Sequence, residues 1–115
     1  MVAQSFSFDG TSTSGFTVPD ARSLSFTGTI SIAAWVNPSN LSCTNADNSG
    51  YCAIIAKDNR VERNWGLWMK PDGGLHLSYV NGTNIFLESP ASLVTGQYSF
   101  VTGIIDPARG VSVRF

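Results

Sequence analysis

The sequence predicts an all-β protein, an antiparallel two-sheet sandwich or jelly roll. Short segments in which apolar and polar residues alternate with period two recur along the whole chain. Clusters of Gly, Pro, Asn and Asp separate them, the residues that tight turns require. No stretch holds a 3.6-residue apolar period over the length of a helix. Eight or nine short strands joined by turns make a sandwich rather than a helical or βαβ fold.

The elements follow in order. SFSF at 5–8 alternates cleanly, and GFTVP at 15–19 reads as a short second strand. TISIAAWVNP at 29–38 becomes continuously apolar in its middle, the pattern of a central strand with Trp35 in the core. AIIAK at 53–57 and WGLWMK at 65–70 come next. Pro71, Asp72, Gly73 and Gly74 then form a turn into LHLSYV at 75–80, and Asn81 with Gly82 form a second turn into NIFLES at 84–89. YSFVTGIID at 98–106 and VSVRF at 111–115, joined through Asp106, Pro107 and Gly110, complete the set. With no internal repeat, linker or low-complexity tract, residues 1–115 read as a single domain.

Composition limits the function classes. A chain of 115 residues buries about 60 to 65% of its unfolded surface, enough for one core. Seven Lys and Arg against eight Asp and Glu leave no basic excess for phosphates, so nucleic acid is not an expected partner. No apolar run approaches the length of a membrane span. The start MVAQSFSFDG carries neither the basic nor the apolar region of a signal peptide, which fits either a processed start or a cytoplasmic protein.

Cys43 and Cys52 flank TNADNSGY, a polar loop whose ends a disulfide would pin, contributing about 2.5 to 3 kcal/mol in the chain-entropy picture. Two free thiols are the alternative; zinc lacks ligands, since His76 is the single histidine and CxxC spacing is absent. A disulfide implies an oxidising compartment, extracellular or periplasmic. Asn40 in NLS and Asn81 in NGT match the N-glycosylation acceptor pattern.

The order SFSFDG, FTVPDARSLSFTGTISIAAWVNP, AIIAKDNR, WGLWMKPDGGLHLSYVNG and LVTGQYSFVTGIIDPARGVSVRF resembles the laminin G-like or concanavalin A-like lectin superfamily. Members show an opening strand ending in FDG, a strand of the form "tISaWV.P", an "Ii.K" strand, a hairpin at "G.L.f.v.nG" and a "tgqWh.va...D" strand. The resemblance covers nearly the whole chain, with Tyr98 and Ser99 where the family often carries Trp and His. It implies a concanavalin A-like jelly roll lacking the family's last strands, and hence an open C-terminal strand edge. Such an edge is satisfied by strand pairing with a second copy or another chain, or closes by itself, with Arg114 as an edge charge.

Catalysis is not expected. Glycosidases need two carboxylates flanking the scissile bond, and Glu62 and Glu88, the only glutamates, are far apart with no ExDxxE-like run. His76 lacks a nucleophile partner, and LHLSYV sets it opposite two inward-facing leucines on the more exposed face.

Binding is the expected class: a non-catalytic extracellular recognition module for a glycan or protein, or alternatively an assembly element that oligomerises through its open strand edge. Sugar recognition uses aromatic faces with amides and carboxylates nearby. Trp65, Trp68 and Tyr79 are candidate faces, with Asn64, Asn81 and Asn84 close in sequence. In WGLWM, Trp65 shares a face with Leu67 and Met69, and Trp68 with Gly66 and Lys70, so Trp65 is expected in the core and Trp68 exposed. The expected ligand contacts are thus Trp68, Tyr79, Asn81 and Asn84.

The resemblance also raises a structural Ca²⁺, which needs six to eight oxygens. Oxygen-rich loops hold Asp9, Asp20, Asp47, Asn48, Asp58, Asn59, Asp72 and Asp106. Of these, Asp58 and Asn59 in KDN resemble the place of an Asp and Asn pair of calcium ligands in the related pentraxins.

Overall fold

The computed structural model describes residues 4–11, 14–44, 49–58 and 63–114. Seven strands form two antiparallel sheets: β1 (Ile30–Val36), β2 (Cys52–Asp58), β3 (Arg63–Met69), β4 (Leu75–Asn81), β5 (Thr83–Glu88), β6 (Ser99–Asp106) and β7 (Gly110–Arg114). The large sheet has the order β2-β3-β4-β5, the small one β1-β6-β7. One 3-10 turn, Arg22–Leu24, is the helical content of the described residues.

Two hairpins set the register of the large sheet. At Lys70–Gly74 the Lys70 amide donates to the Gly74 carbonyl (2.8 Å), and the Gly74 amide donates to Asp72 Oδ1 (2.8 Å). Gly73 has φ 83°, which only glycine adopts without strain, and its carbonyl accepts from the Ser92 and Leu93 amides of the following connection. The pairs Leu67 with Leu77 and Leu77 with Leu87 follow across β3, β4 and β5.

The core lies between the sheets. Ile32, Val101 and Ile105 from the small sheet meet Trp65, Leu67, Met69, Leu75, Leu77 and Tyr79 from the large one, with Leu93 and Cys52 at the margin. Leu67, Leu75, Leu77 and Val101 have no solvent exposure. The sheets approach most closely where β7 lies against β4 and β5. Cys43 and Cys52 form a disulfide, tying the loop that enters β2.

Three expectations change. Segments 5–8 and 15–19 form no strands: no backbone among the described residues pairs with them, and Phe6 and Phe8 instead pack edge-on against Phe16 (4.7 and 5.6 Å between centroids), leaving all three rings exposed. β1 is at the edge of the small sheet among the described residues, not at its centre. Trp35 is outside the core at 69% exposure, because Ile32 takes the inward phase of the strand and two-residue alternation then turns Trp35 outward, beside Phe100.

Candidate functional site

The outward face of the large sheet carries the site. Alternation from the inward residues Leu67 and Leu77 places Gly66 and Trp68 of β3, His76 and Ser78 of β4, and Phe86 and Glu88 of β5 on this face. The register sets them in two rows, Trp68–His76–Glu88 and Gly66–Ser78–Phe86. Asn84 extends the β5 column beyond Phe86 and is exposed.

Rings enclose His76. Phe86 stacks on it with centroids 5.5 Å apart and planes 20° from parallel, Trp68 meets it edge-on at 5.7 Å, and Tyr51 lies at 5.4 Å. His76 is consequently only 9% exposed, on the face expected but buried there. Trp68 is 8% exposed, not open as expected, since its indole lies flat over Gly66, where a Cβ would overlap the ring. Phe86, at 57% exposure, is the aromatic surface this face offers to solvent.

One carboxylate organises the polar groups. Glu88 Oε1 accepts from the Tyr51 hydroxyl (2.9 Å) and from His76 Nδ1 (3.0 Å), while Oε2 pairs with Lys70 Nζ at 2.9 Å. An ionised carboxylate only accepts, so His76 carries its proton on Nδ1. The His76 bond first, then those from Lys70 and Tyr51, hold the Glu88 carboxyl at about 2. Asp72 is also held below the ordinary carboxylate range, by the Gly74 amide and then by Lys70, whose Nζ is 3.2 Å from Asp72 Oδ2. The Glu88 carboxylate in turn raises Lys70 and Tyr51.

The other expected contacts separate. Tyr79 points into the core at 7% exposure, because it pairs with Trp65 on the inward face, and it offers no platform. The Asn81 side chain lies outside the described residues, as do Asn59 and Glu62. Asp58 ends β2, and among the described residues no three His, Cys, Asp or Glu side chains gather to hold a metal ion.

Sequence reading missed Phe86, His76 and Glu88 as a group. The signal was present for part of it: NIFLES alternates, so an amide, a ring and a carboxylate share one face of one strand. Nothing in sequence links Tyr51 to Glu88, 37 residues away. Two surface depressions, one of about 230 Å³ near Ile104 and Asp106 and one of about 430 Å³ near Asp9 and Thr44, lie away from this face.

A two-sheet antiparallel sandwich with an aromatic and carboxylate cluster on one open face has the architecture of the concanavalin A-like folds. A family model of laminin G type, described as the concanavalin A-like lectin/glucanases superfamily, matches residues 9–115. The chain belongs to that superfamily. No curated protein matches it, and no solved structure does.

Proposed function

We propose that this domain is a non-catalytic recognition module that binds carbohydrate on the outward face of its large sheet, with Phe86 as the stacking platform. The observation that carries this is the β5 column: Asn84, Phe86 and Glu88 lie on one face at intervals of about 7 Å, an amide and a carboxylate flanking an exposed ring. The ring face takes the apolar C–H face of a pyranose, and the flanking groups hydrogen-bond its hydroxyls. His76 and its enclosure hold Phe86 in place, so little side-chain entropy is lost on binding.

The electrostatics support binding over hydrolysis. A glycosidase needs one carboxyl raised to act as an acid and another kept ionised. Glu88 and Asp72 are both lowered and share Lys70, which suits hydrogen-bond acceptors rather than an acid and nucleophile pair. The disulfide and the family's usual setting support an extracellular location.

The test is titration with soluble gluco-, galacto- and manno-oligosaccharides, followed by amide NMR shifts. The reading requires a saturable response that Phe86→Ala weakens about tenfold or more, about 1.4 kcal/mol. No response to any of the sugars would sink it.

A second reading rests on the small sheet. Its outward face exposes Trp35 and Phe100, at 69% and 45%, and β1 and β7 are its edges among the described residues. Self-association through such an edge makes the solution mass depend on concentration, which light scattering reads directly; a constant monomer mass rejects it.

A further inference from the structure

Two buried polar atoms of the large sheet have no hydrogen-bond partner among the described residues: Ser78 Oγ, on the outward face in a residue with no solvent exposure, and Asn64 Oδ1, at the irregular step of β3 opposite Lys57 and Asp58. Buried hydroxyls and amides are nearly always satisfied, so the orphaned Ser78 hydroxyl calls for a cause. Ser78 of β4 faces Gly66 of β3.

Trp68 fills the space above Gly66. A Cβ at that position would lie 2.6 Å from Cζ2 and 2.7 Å from Cζ3 of the indole, far inside van der Waals contact. Glycine here is therefore what lets the ring lie on the backbone. The result is a trough with a main-chain floor at Gly66, the Ser78 hydroxyl on the facing strand beside it, and the Trp68 ring seated in it.

We infer that this trough is a second sugar subsite, occupied in the structure by the protein's own Trp68. When the indole rotates out, a pyranose takes its place, one of its hydroxyls satisfying Ser78 Oγ. The displaced indole packs over the sugar's free face. Gly66, Ser78 and Phe86 sit in one row on three adjacent strands, which sets the trough about 10 Å from the Phe86 platform. The ligand is thus an oligosaccharide that crosses the strands, with one unit on Phe86 and another over Gly66. This rests on the reading of the face as a sugar-binding surface and adds a distinct, closed position to it.

Opening the trough tests it. Trp68→Ala removes the occupant, and Gly66→Ala displaces it while keeping the indole; either folded variant suffices. Titrated with methyl β-D-glucopyranoside, methyl β-D-galactopyranoside and methyl α-D-mannopyranoside, the variants are expected to bind one of them about tenfold more tightly than the unsubstituted protein. The amide shifts should centre on residues 64–66 and 77–79. Adding Ser78→Ala should abolish the gain, and adding Phe86→Ala should not.

In the unsubstituted protein labelled with 5-fluorotryptophan, saturating gluco-, galacto- or manno-oligosaccharide should move the Trp68 fluorine resonance and leave that of Trp35 in place. An unmoved Trp68 resonance, no gain in the folded variants, or a gain that survives Ser78→Ala overturns the inference. Phe86→Ala answers separately for the platform: weakened binding with an unmoved Trp68 resonance keeps the platform and rejects the trough. A gain indifferent to Phe86 in a protein that otherwise ignores oligosaccharides does the reverse.

Discussion

Phe86 lies stacked on His76, ring centroids 5.5 Å apart and planes 20° from parallel, so the most exposed aromatic of the large sheet rests on one of its buried polar residues. The pairing links the proposed sugar platform to stability. His76→Ala removes the support of Phe86 and a donor to Glu88, and should cost about 2 to 3 kcal/mol in urea unfolding. Phe86→Ala, at an exposed position, should cost under about 1 kcal/mol. Equal costs for the two would contradict the enclosure of His76.

Acid should weaken the fold through Glu88. Its carboxyl is held at about 2 in the folded protein against an ordinary 4.5, so the unfolded chain takes up the proton first. Its stabilisation is complete above about 4.5 and is lost as pH falls toward about 2. Glu88→Gln should flatten that acid limb of a melting-temperature profile and leave the slope above pH 5 alone. An unchanged acid limb would show that the three hydrogen bonds do not hold in solution.

Reducing the Cys43–Cys52 bridge closes no new contacts and frees the loop it ties. The unfolding free energy should fall by about 2.5 to 3 kcal/mol on reduction, read from urea curves with and without dithiothreitol. No change would place the loop's restraint elsewhere.

The two tryptophans of opposite phase give a direct contrast. Trp65, buried at 7% with its Nε1 donating to the Leu24 carbonyl at 3.0 Å, should cost about 3 to 5 kcal/mol when replaced by alanine. Trp35→Ala should cost under about 1 kcal/mol in the monomer. The reverse order would mean that β1 is assigned the wrong phase.

That contrast also marks what the sequence could convey. β2 to β7 fall where alternation and turn residues predict them, and the phase of WGLWM, with Trp65 inward and Trp68 outward, follows from its pattern. ISIAAWV is apolar in both phases from Ala33 onward, so its size alone argued for a buried Trp35; the register against β6 decides otherwise. SFSF alternates as a strand does, yet a strand exists only with a partner, and here the rings find one another instead.

The site was legible by column and hidden by row. Residues 84, 86 and 88 share a face by arithmetic. Trp68 was expected to be open because outward commonly means exposed, and only the absence of a side chain at Gly66 lets the indole lie down and bury itself. The bonds from Tyr51 and Lys70 to Glu88 depend on how distant segments are brought together, which no local pattern carries.

The central claim is that sugars bind at Phe86 on the large sheet. It is tested most directly by mapping amide shifts during titration with the gluco-, galacto- and manno-oligosaccharides. The account predicts perturbations centred on residues 76, 78, 84, 86 and 88 that Phe86→Ala removes. Perturbations centred on Trp35 and Phe100 of the small sheet, or none at all, would contradict it.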